Sequence, residues 1–294
     1  MTFRDKKYIP YYILSAIIIA ASLTIVSVTS ATIIKKNKTP QETVIPETTT
    51  IFMNGEIPYY PNIPASSYGT ENFTMEDGRI EYTDASTDYS TGIDISAFQG
   101  NIDWNAVKND GIDFAIIRVG YRGYGAEGII REDDNARKNI VNATAAGLDV
   151  GVYFYSQAIT VEEAVEEADF VLNIIKDYNF NGPVVFDWET ELNKEMRTDN
   201  LSGEIITDCA VAFCERVKEH NYTPAVYFNL SDAYVRYDLD RISNYVLWYA
   251  QHEGDSPAFY YNYNIWQYSD SGSVDGIKGK VDMNISFIDF SQFA

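Results

Sequence analysis

The stretch that decides the fold is Val-Val-Phe-Asp-Trp-Glu at residues 184–189, an apolar run that ends in two carboxylates. Residues two apart on a strand point to the same face, so Asp187 and Glu189 are predicted to lie side by side where a buried strand reaches solvent. Two close carboxylates cannot both ionise freely, and one acid beside one carboxylate suits glycoside hydrolysis. The same two residues could instead cap a following helix, and this motif alone leaves both interpretations open.

Composition excludes several classes of protein. The chain of 294 residues has a net charge of -21, so nucleic acid should be repelled and we expect no nucleic-acid partner. The two cysteines, Cys209 and Cys214, lie in one predicted helix and give no disulfide framework. With only two histidines and no paired-cysteine or His-Glu-x-x-His motif, we expect neither a metal nor another cofactor.

The N-terminal part is predicted to hold the chain at a membrane. Residues 1–34 contain an uncharged, mostly apolar run at 8–34, which exceeds the roughly 20 residues that span a bilayer. The run is also longer than a signal-peptide core, so it predicts a single-pass anchor. The large acidic C-terminal part favours a location outside the cell for that part. Small residues at 29–31 leave cleavage and release as an alternative. Residues 35–90, rich in Thr, Pro, Glu and Ser, are predicted to form a disordered linker.

Residues 91–294 alternate short β-rich runs with helix patterns, which predicts an α/β fold. Eight strands are predicted, at 92–96, 114–119, 150–155, 184–187, 224–229, 246–251, 263–268 and 281–287. Helices are predicted near 103–107, 135–146, 160–175 and 204–219. This alternation predicts a parallel sheet with right-handed crossovers that closes into a barrel, with the chemistry at the carboxyl ends of the strands.

Two further acids lie near predicted strand ends. Asp94 is in the string GIDISAFQG at 92–100, and Asp282 is in VDMN at 281–284. With Asp187 and Glu189 they would form a group of four carboxyls at one end of the barrel. Taken alone, Asp94 and Asp282 could each be a turn-capping residue.

These motifs, in this order, resemble glycoside hydrolase family 25, the lysozymes that cleave bacterial peptidoglycan. The matching strings are GIDISAFQG at 92–100, IDW at 102–104, FAIIRVG at 114–120, YFYS at 153–156, DWE at 187–189, LWYA at 247–250, IWQY at 265–268 and VDMN at 281–284. The resemblance implies an irregular TIM-like barrel of five β/α units closed by three further strands. His252 stands where an aromatic is expected, so the chain departs from the family pattern at one sugar-stacking position.

By the same resemblance, Glu189 is the general acid, and Asp94, Asp187 and Asp282 are supporting carboxylates. Glu189 must be protonated to give its proton to the glycosidic oxygen, and a neighbouring ionised aspartate and a hydrophobic wall such as Trp188 would raise its pKa. The supporting aspartates could stabilise positive charge on the sugar or orient its N-acetyl group as an internal nucleophile. The sequence leaves both roles open.

Aromatic residues at predicted strand ends are candidates for substrate binding, because aromatic faces stack on sugar rings. Tyr155, Trp248 and Trp266 are the candidates for the wall of the site. Arg118 could pair with an acid in the barrel mouth, and its alternative is a purely structural ion pair.

The implied function is that of an N-acetylmuramidase, which cleaves the β-1,4 bond between N-acetylmuramic acid and N-acetylglucosamine in peptidoglycan glycan strands. We expect a monomer tethered to the cell membrane by its N-terminal helix, with the catalytic domain extracellular. A non-catalytic glycan-binding protein and an envelope scaffold on the same barrel are the alternatives. All four carboxylates are present, which favours the enzyme.

Overall fold

The structure is a computed structural model that describes residues 48–52, 55–178, 181–191 and 194–290. The predicted anchor at 8–34 and the linker residues 35–47 lie outside the described residues. No helix within the described ranges is long and apolar enough to cross a membrane. Contacts divide the chain into two units, residues 1–59 and 60–294. In the first unit, β1 (Thr48–Phe52) pairs antiparallel with β2 (Gly55–Pro58).

The second unit holds the predicted barrel and its helices. In chain order its elements are β3 (Phe73–Glu76), β4 (Arg79–Tyr82), β5 (Ser90–Ile95), α1 (Trp104–Asn109), β6 (Phe114–Arg122), β7 (Ile130–Glu132), α2 (Ala136–Ala145), β8 (Asp149–Tyr155), α3 (Val161–Ile175), β9 (Val184–Asp187), α4 (Gly203–Glu219), β10 (Pro224–Asn229), α5 (Leu230–Val235), α6 (Leu239–Ile242), β11 (Val246–Ala250), β12 (Ile265–Gly272) and β13 (Val281–Ser286). Two short 3-10 helices, Thr70–Asn72 and Ala97–Gln99, precede β3 and follow β5.

Eight strands close into a barrel, as the sequence predicts. Strands β5, β6, β8, β9, β10, β11 and β12 pair in parallel in that order. Strand β13 runs antiparallel between β12 and β5 and completes the circle. The short β7 adds to the end of β6. Helices follow each of the first five barrel strands, whereas β11, β12 and β13 follow one another without helices between them.

Capping side chains begin the helices where the sequence predicts them. The Asp103 carboxylate accepts a hydrogen bond of 3.2 Å from the backbone of Ala106 at the start of α1. The Thr160 hydroxyl accepts one of 3.3 Å from Glu163 at the start of α3. Each cap satisfies a backbone N–H that the first helical turn leaves without a partner. Cys209 is buried on the inner stripe of α4, where it packs as a small apolar residue.

Two hydrophobic cores lie on the two sides of the barrel wall. The inner core, which includes Ile116, Val185 and Trp248, fills the barrel. The outer core, which includes Phe186 and Phe213, packs the strands against the helices. Successive residues of a strand point to opposite faces, so each strand contributes to both cores. The inner core supports the residues one layer above it, at the carboxyl ends of the strands.

The prediction of a disordered linker is wrong for residues 60–90, which pack against the barrel. Strands β3 and β4 form an antiparallel hairpin, and Phe73, Ile80 and Tyr82 are buried in the outer core. The Phe73 ring lies 5.4 Å from that of Trp266 in an edge-to-face arrangement. The Tyr68 ring stacks on Phe287 at 3.9 Å. The polar composition of this segment conceals widely spaced aromatic residues, and these bury enough apolar surface to order the chain.

If residues 60–90 are part of the domain, the Phe73→Ala variant should lower the free energy of unfolding by about 3 kcal/mol, since it empties a buried aromatic site. The control is Met75→Ala on the same strand, where the side chain is exposed and the change should be within about 0.5 kcal/mol. Chemical denaturation followed by circular dichroism measures both. Equal, negligible effects would mean that the segment behaves as a tether.

Candidate active site

The carboxyl ends of the parallel strands open into a cleft of about 670 Å³. This is the end of the barrel at which the sequence places the four acids. The predicted site residues that line the cleft are Asp94, Arg118, Tyr155, Asp187, Glu189, Trp248 and Asp282. The structure therefore brings seven of the eight predicted site residues together.

Strand alternation directs Asp187 and Glu189 into the cleft. Val185 belongs to the inner core, so Asp187, two residues further along β9, also faces the inside of the barrel. Asp187 lies opposite Tyr155 on β8 and Tyr227 on β10 in the strand ladder. Its Oδ1 atom is buried and has no hydrogen-bond partner among the described atoms. This oxygen is thus available to a substrate group.

Asp94 and Asp282 meet on the opposite side of the cleft. They are direct neighbours in the ladder between β5 and β13, and a hydrogen bond joins their side chains. The Asp94 Oδ2 atom accepts hydrogen bonds of 2.8 Å from the side-chain amides of Gln267 and Asn284. These two amide donors favour the ionised form of Asp94.

Burial raises the pKa of every carboxyl in this group, because a low-dielectric environment disfavours the charged form. The pKa of Asp94 rises to about 6, that of Glu189 to about 7 and that of Asp282 to about 8. The pKa of Asp187 rises well above its ordinary value, first through burial and then through the charge of Glu189. Near neutral pH the site thus retains protons, which is the condition for an acid catalyst.

The pKa of Glu189 is raised by burial and by a neighbouring aspartate, as expected, but that aspartate is Asp232. Burial comes first, and the charges of Asp232, Glu191 and Asp282 follow it. Asp187, the adjacent acid on the same strand face, is buried, and its own pKa is raised by burial and by Glu189. Trp188 does not form the expected hydrophobic wall. Its side chain points away from the cleft into the outer core, because it alternates with its neighbours.

Trp266 is the one predicted site residue that the cleft lacks, and its expected contact with substrate is wrong. Its side chain is fully buried in the outer core, where the ring packs against Phe73. Its indole N–H donates to the backbone oxygen of Gln251 at 3.1 Å. On β12 it is Gln267 that points into the barrel, so alternation sends Trp266 to the outer face.

Aromatic and basic side chains line one side of the cleft, next to the acids. The Arg118 guanidinium forms an ion pair of 2.8 Å with buried Asp133 and lies 5.0 Å from the centre of the Phe98 ring. Phe98 is 86% exposed, although it is a large apolar residue at the rim of the cleft. The Tyr155 hydroxyl has no hydrogen-bond partner in the described part of the chain. Trp248 is 1% exposed and closes the floor.

Sequence reasoning missed the polar residues that hold Asp94. The Gln267 Oε1 atom lies within hydrogen-bond distance of the Tyr227 hydroxyl, at 2.9 Å, and of His252 Nε2, at 2.8 Å. The Asn284 Oδ1 atom accepts a bond of 2.8 Å from the indole of Trp248. Both amides are thereby fixed with their NH₂ groups toward Asp94. A period-two count from Asp282 would have found Asn284 on the same face.

The sequence pattern of the family described as "Glycosyl hydrolases family 25" matches residues 93–277, and the chain belongs to that family. Its similarity to the autolytic lysozyme of Clostridium acetobutylicum is 29% identity over 195 residues, which covers 66% of this chain and 54% of that protein. The chain thus spans about half the length of that relative. Lysozyme M1 of Streptomyces globisporus is 26% identical over 219 residues, which covers 68% of each chain.

Solved structures show the same fold. The bacterial lysozyme of Streptomyces coelicolor aligns with a TM-score of 0.57 and 25% identity, over 72% of this chain and 100% of that chain. The modular autolysin LytC of Streptococcus pneumoniae, solved in complex with a synthetic peptidoglycan ligand, aligns with a TM-score of 0.58 and 26% identity. That alignment covers 73% of this chain and 52% of LytC.

The raised pKa values predict that the acid cluster destabilises the fold as pH rises. The pKa of Asp282 is about 8 in the folded state and near 3.8 in the unfolded state. Between these pH values the folded protein binds more protons than the unfolded chain, so the free energy of unfolding falls from about pH 4 to about pH 8. We expect Asp282→Asn to raise the free energy of unfolding at pH 8 by about 2 kcal/mol, and by less at pH 5.

Denaturant titrations at the two pH values measure this difference. The control is Asp275→Asn, which removes an exposed carboxylate from the loop before β13 and should give no comparable pH-dependent gain. Equal effects of Asp282→Asn at pH 5 and pH 8 would contradict a half-buried, protonated Asp282.

Proposed function

We propose that this protein is a peptidoglycan hydrolase of the N-acetylmuramidase type, which cleaves the β-1,4 bond between N-acetylmuramic acid and N-acetylglucosamine. The observation that carries the proposal is the group of four carboxyls in one cleft, with pKa values that are raised to different extents. Membership of family 25 and the lysozymes among the similar proteins support the same reaction.

Glu189 acts as the general acid in this proposal. With a pKa raised to about 7 it is protonated in mildly acidic and neutral solution, and it can give its proton to the glycosidic oxygen as the bond breaks. Asp187 retains its own proton and offers its unpartnered Oδ1 atom to a polar group of the sugar.

Asp94 acts as the charged member of the group. Its pKa of about 6 is lower than those of Glu189 and Asp282, since the amides of Gln267 and Asn284 stabilise its carboxylate. An ionised Asp94 can stabilise the positive charge that develops on the sugar ring as the bond breaks. Asp282 shares a hydrogen bond with Asp94 and keeps its proton at the same pH. The rate should then rise through about pH 6 and fall above about pH 7.

Glu189→Gln should lower kcat by about 10²-fold to 10⁴-fold with little change in glycan binding, because the amide keeps the shape of the side chain but cannot donate an acidic proton. Glu195→Gln is the matched control. It removes the same charge from an exposed position six residues further along the chain, and should leave the rate unchanged. Release of reducing sugars from purified peptidoglycan measures both variants.

Near-normal turnover by a folded Glu189→Gln variant would overturn the assignment of the acid. A wild-type protein that binds the glycan without cleaving it would instead support the alternative of a binding protein.

Phe98, Tyr155 and Arg118 form the proposed glycan-binding wall, above the floor made by Trp248. Phe98→Ala should raise KM about fivefold, for the loss of a stacking contact of about 1 kcal/mol, and Phe98→Trp should restore it. Ile129→Ala, which trims an exposed apolar side chain that does not line the cleft, is the control. An unchanged KM for Phe98→Ala would exclude the ring from substrate binding.

The chain is proposed to act as a monomer at the outer face of the cell membrane, anchored by residues 8–34. The support is the uncharged apolar run, which is long enough to cross a bilayer. We expect cell fractionation to recover the protein with membranes, and external protease to remove the catalytic domain. A mature chain that begins near residue 32 and is free in the medium would replace the anchor by a cleaved signal.

A further inference from the structure

Asp232 is a buried carboxylate that lies outside the cleft lining and that the proposed reaction does not use. It is 2% exposed and lies in α5, three residues after the end of β10. Its Oδ1 atom accepts a bond of 2.6 Å from the Thr190 hydroxyl. Its Oδ2 atom accepts bonds of 3.2 Å from the Thr190 backbone N–H and 2.7 Å from the Asn229 amide. One carboxylate thus satisfies three donors.

The start of α5 does not explain this arrangement. The helix is capped by Asn229, whose side-chain oxygen accepts a bond of 2.9 Å from the backbone N–H of Asp232. The carboxylate of Asp232 is not needed for this cap. Besides the bond from the Asn229 amide, it reaches across to Thr190 in the segment that follows the neighbouring strand β9. Strands β9 and β10 pair up to the level of Asp187 and Tyr227. Asp232 therefore extends the connection between these strands beyond the end of their ladder.

We propose that Asp232 is a positioning residue for the reaction: through Thr190 it fixes the segment after β9 that presents Glu189 to the cleft. The inference rests on the proposed function, in which Glu189 is the acid. Strand β9 ends at Asp187, so Glu189 lies beyond the ladder that holds the strand in place. Both bonds from Thr190 to Asp232 hold the residue next to Glu189, and one of them holds the backbone itself. A small displacement of a catalytic group greatly slows a reaction.

The charge of Asp232 also acts on Glu189. After burial, it is the largest contribution that raises the pKa of Glu189. The charged and titratable groups that interact with Glu189 include Asp94, Tyr155, Asp187, Glu191, Tyr227, Asp232 and Asp282. A neutral residue at position 232 should lower the pKa of Glu189, so the acid would lose its proton, and the enzyme its activity, at a lower pH.

Two pairs of variants of the full chain separate positioning from charge. Thr190→Val keeps the shape of the side chain and removes the hydroxyl, whereas Thr190→Ser keeps the hydroxyl. Thr190→Val should lower kcat at least about tenfold with KM unchanged, and Thr190→Ser should retain most of the rate. Asp232→Asn should lower kcat and move the alkaline limb of the pH–rate curve to lower pH. Asp240→Asn, an exposed carboxylate in α6, should do neither.

Initial rates on purified peptidoglycan across pH and substrate concentration give these quantities, with melting temperatures measured alongside. Wild-type kcat in Thr190→Val, equal losses in Thr190→Val and Thr190→Ser, or an unmoved alkaline limb in Asp232→Asn would each overturn the proposal. If Asp232→Asn does not fold, the two Thr190 variants decide.

Failure of the proposed function has a different signature, because the wild-type protein would then be inactive on peptidoglycan. In that case, carbon-13 NMR titration of the Glu189 carboxyl in the wild-type and Asp232→Asn proteins still tests the influence of Asp232. A lower pKa of Glu189 in the variant is expected, and an unchanged one would refute it.

Discussion

The antiparallel insertion of β13 between β12 and β5 is the constraint on which the site depends. All other neighbours among the barrel strands are parallel, so their carboxyl ends meet at one edge. Because β13 runs the other way, its first residues lie at that edge, and Asp282 becomes the ladder partner of Asp94. The same strand closes the barrel, and closure excludes water from the inner core beneath the acids. The pairing that completes the fold therefore also assembles half of the acid group.

Placing several carboxyls close together in the cleft lowers the free energy of unfolding, and hydrogen bonds from the surrounding polar residues reduce this loss. Asp94 accepts hydrogen bonds from two side-chain amides. The Gln267 amide is fixed by the Tyr227 phenol and the His252 imidazole, and the Asn284 amide is fixed by an indole. Asp187 has no comparable support at its Oδ1 atom. The unsupported oxygen is destabilising in the free protein, because a buried polar atom without a partner loses its interactions with water. Such an atom gains a partner when a polar substrate enters, so the strain of the free site favours binding.

Much of the barrel could be predicted from the sequence, because period-two runs, capping residues and glycine stops are local signals. The eight strands, the caps at Asp103 and Thr160 and the inward direction of Asp187 follow from such signals. The packing of residues 60–90 could not be predicted, since Phe73 and Tyr82 contact the barrel over long sequence distances within a polar segment. The residue type of Trp266 predicts a place in the cleft, but alternation along β12 directs Gln267 into the barrel and Trp266 to the outer core.

The residues around the acids, more than the acids themselves, decide which carboxyl ionises first. Asp94 faces two neutral amides that donate hydrogen bonds, and these lower its pKa against the effect of burial. Asp232 and Glu191 lie near Glu189, and their charges add to the effect of burial in raising its pKa. The amides come from β12 and β13, whereas Asp232 follows β10, so different strands favour the two protonation states. A carboxylate and an acid can then coexist in one cleft, as glycoside hydrolysis requires.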